Sequence, residues 1–261
     1  MEDNSNELCE VNQNSTDIRT GIIILPSGPK QVKYSVVDGL AIFEGDIVLG
    51  TVAEMENIMS GEEGIGITGD QFRWPGGIIP FTIDSTLPNQ QRVTDAIAHW
   101  ENRTFIRFVP RTNPTQQPNF INFRTSSVCQ SFIGMQGGQQ DIELGGRCST
   151  GNVIHEIGHA VGLFHEQSRE DRNNFVRINW ENIESGKEDN FDQVIPISDD
   201  YGPYDYGSIM HYGRYAFSKN PDVLATIEPL NPLPPGVEMG QRNGLSDGDV
   251  AAVYALYHGA S

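Results

Sequence analysis

The chain has 261 residues, enough for one large domain or two modest ones with an ample core. Lys and Arg number 17 against 35 Asp and Glu, a formal charge of −18, which argues against nucleic acid or an anionic membrane surface as a partner. Hydrophobic residues make up 37% and charged residues 20%, a globular balance, and no run approaches the ~18 consecutive apolar residues of a membrane span.

Residues 1–20 are rich in Asn, Asp, Glu and Ser and are expected to lack regular structure. The first residues have neither the basic region nor the apolar core of a signal peptide, so a secreted form is expected to have lost its leader. Asn14-Ser15-Thr16 and Asn102-Arg103-Thr104 fit the glycosylation sequon, a pattern too short to decide anything alone. β-Branched runs at 21–25 and 31–49, separated by Pro26-Ser27-Gly28, predict strands, and Val52 to Ser60 predicts a short helix. Gly61-Glu62-Glu63-Gly64-Ile65-Gly66 reads as a flexible linker open to proteolysis. It divides a leading segment, 1–64, from a main domain, 65–261.

In the main domain, Ile78 to Ile83 predicts a strand, and Asn89 to Asn102 a helix with Val93, Ile97 and Trp100 at helical spacing. Strands are expected at Thr104 to Val109, Phe120 to Arg124 and, after the Gly137-Gly138 break, Gln139 to Leu144. A helix follows over Gly151 to Ala160, with Ser149 or Thr150 as N-cap. Beyond Arg172 the pattern is irregular until Leu245 to His258, where Ser246 and Asp249 fit a capping box.

The helix at Gly151 carries His155-Glu156-Ile157-Gly158-His159-Ala160-Val161-Gly162-Leu163-Phe164-His165. Histidines four apart lie one turn apart on one helix face, so both can reach one metal ion. Glu156 lies beside the first ligand without being one, which suits a general base. Gly162 can end the helix and turn the chain so that His165 returns as third ligand. Three protein ligands leave a tetrahedral zinc one open position, the mark of a catalytic site. A thermolysin-like set with Glu181 or Glu184 as third ligand would leave Gly162 and His165 without a purpose.

These residues resemble the astacin family of metzincin endopeptidases, in particular its bacterial, myroilysin-like members. Further matches lie in order along the chain: Phe43-Glu44-Gly45-Asp46-Ile47 with a propeptide motif, Arg73-Trp74-Pro75-Gly76-Gly77-Ile78-Ile79-Pro80-Phe81 with the start of the mature enzyme, His165 to Arg172, and Ser208-Ile209-Met210-His211-Tyr212 with the Met-turn. The resemblance implies an α+β, two-lobed metzincin domain: a twisted sheet with helices above, an irregular lobe with the C-terminal helix below, and a propeptide before them. It implies one catalytic Zn2+, Met210 as an apolar floor, and Tyr212 as a mobile zinc ligand and oxyanion donor. His99, His211 and His258 are read as structural. Gln139, Gln140, Asp141, Ile142, Glu143 and Leu144 are expected to form the edge strand that takes substrate as an added antiparallel strand.

Cys129 and Cys148 match one disulfide of the family; its other disulfide has no cysteines here. Cys9 is left over. The resemblance implies a secreted endopeptidase acting on proteins and peptides, in a form blocked by its own propeptide and released by an activating protease. Cys9 is favoured as the blocking zinc ligand, because thiolate is the softer donor, and Asp46 comes second, by its motif. Cleavage near Gly64-Ile65 would bring the new N-terminus towards Glu166. The rival of another class is a catalytically silent zinc-binding module, adhesive or inhibitor-like, on the same fold.

Overall fold

The structure is a computed structural model and describes residues 15–25, 28–59, 65–66, 69–193 and 201–259. Strands β1 (Ile18–Leu25), β2 (Gly28–Val37), β3 (Leu40–Phe43) and β4 (Ile47–Thr51) come first, then helix α1 (Val52–Met59) and the short β5 (Ile65–Gly66). Next are β6 (Ile78–Ile83), α2 (Gln91–Arg103), β7 (Arg107–Pro110), β8 (Phe120–Thr125), β9 (Cys129–Phe132), β10 (Gln139–Leu144) and α3 (Thr150–Val161). The last third has only β11 (Val176–Ile178), β12 (Ile227–Pro229), α4 (Asp247–His258) and isolated 3-10 turns as regular elements among the described residues.

Ten strands form one mixed sheet in the order β5-β1-β2-β3-β4-β9-β10-β8-β6-β7. With few helices and an irregular C-terminal part, this is the mixed α+β arrangement expected from the sequence. The leading segment contributes an antiparallel meander, β1 to β4, and joins the rest where β4 pairs parallel with β9 at Ile47↔Ser131 and Val48↔Phe132. Ile23, Tyr34, Phe43, Ile47, Leu49 and Met55 form its own core, against Ile133 of the main domain. Strand β2 alternates, with Val32 and Tyr34 buried and Gln31 and Lys33 beside them not, whereas β3 and β4 are buried at nearly every position.

The main core lies between the sheet, α2 and α3. Val93, Ala96, Ile97 and Trp100 bury one face of α2 against Ile154, Ile157 and Val161 of α3, the 3.6-residue period visible in the sequence. The disulfide Cys129–Cys148 joins the start of β9 to the segment entering α3, across a sequence separation of 19. A third cluster, with Phe191, Tyr204, Phe217 and Ile227, holds the irregular part.

One expectation is corrected. Gln139–Leu144 is an interior strand, paired parallel with β8 along its length and antiparallel with β9 at Ile142↔Ser131, Glu143↔Gln130 and Leu144↔Cys129. Gly134, Gly137 and Gly138 take positive φ values of 65°, 87° and 64°, folding Cys129–Phe132 back beside β10. The outer strand of the main domain's sheet on this side is therefore β9, and in the full chain β4 covers it.

Candidate metal centre

Helix α3 presents the first two histidines. Its N-terminus is capped by Ser149, whose hydroxyl accepts from Asn152 N–H while the Asn152 side chain accepts from Ser149 N–H. Residues 151–161 are all buried, so the helix runs through the core. Two indoles fix it there: Trp100 Nε1 donates to the Ile154 carbonyl at 3.0 Å and Trp74 Nε1 to the Ala160 carbonyl at 2.8 Å. Gly158 lets the Met-turn come close, since a Cβ there would lie 2.5 Å from Met210 Sδ. Gly162 ends the helix at φ 120°, a value L side chains rarely adopt, and the chain turns back through Leu163 and Phe164 to His165.

His155, His159 and His165 converge with Asp46 of the leading segment. One donor atom from each of the four lies within 4.8 Å of the others, and all four residues are buried. Asp46 Oδ2 is 3.2 Å from His155 Nε2, and Oδ1 is 3.5 Å from His159 Nε2 and 3.3 Å from His165 Nε2. Donors on a tetrahedral zinc with arms of about 2.05 Å stand about 3.3 Å apart, so these separations fit an ion at the centre. The hydrogen bonding fits as well. His155 Nδ1 donates to the Ile209 carbonyl, His159 Nδ1 to the Leu163 carbonyl and His165 Nδ1 to Glu44 Oε2, each at 2.8 Å. A proton on every Nδ1 leaves every Nε2 lone pair directed inwards. Neither His159 Nε2, His165 Nε2 nor Asp46 Oδ1 has a hydrogen-bond partner despite being buried; donor atoms left this way in a core are explained by a metal ion.

Burial works against ionisation of Asp46, but His165, His159 and His155 outweigh it and hold the carboxyl well below its usual range. Burial pushes His159 down to about 4 against the pull of Asp46. For His165 burial also acts downward, but Asp46 and Glu44 overcome it and raise the imidazole to about 9.

The other candidate residues lie around this centre. Glu156 is fully buried next to His155. Met210 packs against α3 at Gly158, within the main core. Tyr212 stacks obliquely on His165 with ring centroids 4.6 Å apart, and its hydroxyl donates to the Glu44 carbonyl; it is directed at the leading segment. Glu166 accepts from Asp205 N–H at 2.7 Å, and burial lifts its carboxyl to about 8 despite that bond and Arg169. Glu181 and Glu184 are outside the metal group. His99 accepts from Leu245 N–H, His211 bridges the Tyr212 carbonyl and the Tyr204 hydroxyl, and His258 stacks on Tyr254, all structural contacts. Cys9 lies outside the described residues. What the sequence reading missed is Glu44. Its only signal was its place two residues before Asp46 in the same motif.

Comparison with known proteins places the chain among zinc peptidases. The family model of the astacin peptidases matches residues 67–258. The zinc metalloproteinase nas-13 of Caenorhabditis elegans is 39% identical over 231 residues, 83% of this chain and 50% of that protein. The astacin-like metalloprotease toxin 1 of Loxosceles intermedia is 37% identical over 229 residues, 85% of this chain and 83% of the toxin. Among solved structures, high choriolytic enzyme 1, a hatching enzyme zinc-protease from the medaka fish Oryzias latipes, superimposes with a TM-score of 0.63 at 39% identity, over 71% of this chain and 92% of that one. The chain thus spans half the length of nas-13 and most of the length of the toxin. With the family model covering the whole metal centre except Asp46, this chain belongs to the astacin family of zinc peptidases.

Proposed function

We propose that the chain is the latent form of a zinc endopeptidase, with residues 1–64 as inhibitory propeptide and 65–261 as catalytic domain. Asp46 carries this reading. A tetrahedral ion has four positions, and three imidazoles with the Asp46 carboxylate leave none for a reacting water or for a thiolate. Asp46 is accordingly the preferred blocking ligand, and Cys9, favoured in the sequence for its softer donor, becomes the second choice. Chain direction supports the same reading. Substrate is expected to add antiparallel to the outer strand, but β4 lies parallel to β9. The leading segment thus occupies the cleft in the reverse sense to a substrate. The narrower likeness to bacterial myroilysin-like members stays a motif-level proposal, since the relatives named above are animal proteins.

In the released enzyme the bound zinc supplies Lewis acidity at the scissile carbonyl. Glu156, beside His155, takes the proton from the attacking water and passes it to the leaving amine. Tyr212 no longer has the Glu44 carbonyl to donate to and can donate to the developing oxyanion, a contribution of about 2.7–4 kcal/mol in comparable sites. Cleavage near Gly64-Ile65 would give a new N-terminus that Glu166 can receive. A cavity of about 70 Å³, lined by Leu163, Glu166, Asp205, Ser208 and Met210, adjoins that carboxylate. Proteins and peptides are the substrates, an activating protease makes the cut, and the disulfide suits a secreted enzyme.

The test is casein hydrolysis by the full chain, by the chain cleaved after the linker, and by full-length Asp46→Ala and Cys9→Ala. Activity is expected from the cleaved chain and from Asp46→Ala, and latency from the uncut chain and from Cys9→Ala. Release by Cys9→Ala and not by Asp46→Ala would reverse the assignment. Zinc-loaded, cleaved enzyme without hydrolysis would favour the silent module. N-terminal sequencing of active material should place the start between Glu62 and Gly69.

A further inference from the structure

The three histidines are not held in the same way. His155 and His159 are oriented by carbonyls of the main domain, Ile209 and Leu163. His165 is oriented by Glu44 of the leading segment, 121 positions away in sequence. Residues Glu44 and Gly45 take successive left-handed conformations, φ 46° and 84°. The resulting turn puts the Glu44 and Asp46 carboxylates on opposite nitrogens of one ring: Glu44 Oε2 at 2.8 Å from Nδ1, Asp46 Oδ1 at 3.3 Å from Nε2. A non-glycine residue at positive φ is strained, and Glu44 is also 2% exposed, so a buried carboxylate sits on a strained backbone turn here.

We infer that Glu44 is a positioning residue for the third zinc ligand: the leading segment, besides closing the site through Asp46, holds His165 in the tautomer and orientation that bind the metal. The inference rests on the latency reading for the role of Asp46, but not for its own geometry. A carboxylate on the distal nitrogen of a metal-binding histidine fixes the tautomer and raises ligand basicity, and losing such a partner costs about 10–100-fold in metal affinity. Removal of the propeptide takes this partner from His165 and leaves the carbonyl partners of His155 and His159 in place. The leading segment therefore raises the metal affinity of the closed chain, and its departure loosens one ligand of three.

The experiment is zinc affinity, measured by competition with a chromophoric chelator on the full chain. Glu44→Ala should bind zinc about 10–100-fold more weakly than wild type. Glu44→Gln, whose amide oxygen can still accept from Nδ1–H, should recover most of the loss. The same Glu44→Ala change made in an Asp46→Ala background separates the two carboxylates: a persisting loss supports action through His165. A loss that vanishes there means that Glu44 acts only by docking Asp46, and overturns the inference. Equal affinities of wild type and Glu44→Ala also overturn it. After cleavage at the linker, wild type and Glu44→Ala yield the same polypeptide, so equal zinc affinity of the two products excludes a misfolded main domain as the cause. Continued latency of Asp46→Ala would refute Asp46 as the blocking ligand while leaving the Glu44 result intact.

Discussion

Asp249 ties the Met-turn to the last helix, and replacing it with Ala should damage both stability and the metal centre. Its carboxylate accepts from Ser208 Oγ at 2.6 Å, from Ile209 N–H at 3.0 Å and from Ser246 N–H at 2.8 Å. The Ala variant leaves the Ser208 hydroxyl and the Ile209 N–H without their acceptor, at about 1–3 kcal/mol each. It also removes half of the capping box of α4, about 1 kcal/mol. The sum is roughly 3–7 kcal/mol. Burial holds the Asp249 carboxyl above its usual range against these donors, so removing it relieves a desolvation cost and the lower part of that range is expected. At about 2–4 °C per kcal/mol for a chain of this size, a cost of about 3–5 kcal/mol lowers Tm by roughly 6–20 °C. The Ile209 carbonyl orients His155, so zinc affinity should fall as well, by about tenfold or more. Calorimetry and chelator competition on the full chain measure the two effects. A Tm within about 2 °C of wild type, less than the shift expected per kcal/mol, or unchanged zinc affinity alongside a large Tm loss, would refute the linkage from Asp249 through Ile209 to His155.

Two further outcomes follow from buried groups. Burial pushes His211 down to about 4, whereas the unfolded chain takes up this proton near 6.5. The associated stability is complete above about pH 6.5 and is lost as pH falls towards 4, on the order of 3 kcal/mol. His211→Gln should therefore flatten the stability profile between about pH 4 and 6.5 in chemical denaturation, and parallel profiles would contradict the assignment. Paired replacement of Cys129 and Cys148 by Ser should cost about 3 kcal/mol in the chain-entropy model. Urea titration of the disulfide-intact chain and the variant reads this directly, and equal midpoints would mean that the loop is already restrained by Arg92, which donates to the Gly145 and Cys148 carbonyls.

The metal helix was legible in the sequence because its signals are local. The period of 3.6 residues sets His155 and His159 on one face, Gly162 marks the turn, and the Ser246–Asp249 box starts α4 where the pattern places it. The strand at Gln139 to Leu144 was legible as a strand, but its position in the sheet was not. Position depends on which partner folds back beside it, and β9 is a four-residue run with no alternation to announce it. The same limit applies to the candidate site. Asp46 carried a motif, but only the fold brings it among the three histidines, since donor softness is a property of a residue type and geometry is not; Cys9 lies outside the described residues.

By itself, then, the sequence determined the chemistry available: three histidines at metal spacing, a base beside the first, and an aspartate and a cysteine upstream. The tertiary structure decided how the parts meet. Glu44 and Asp46 reach His165 across more than a hundred residues, through a turn at positive φ and a strand laid parallel on β9. Such contacts are set by long-range pairing and packing, which leave no period in the chain. Helical spacing does leave one, which is why the ligands could be read and the groups that hold them could not.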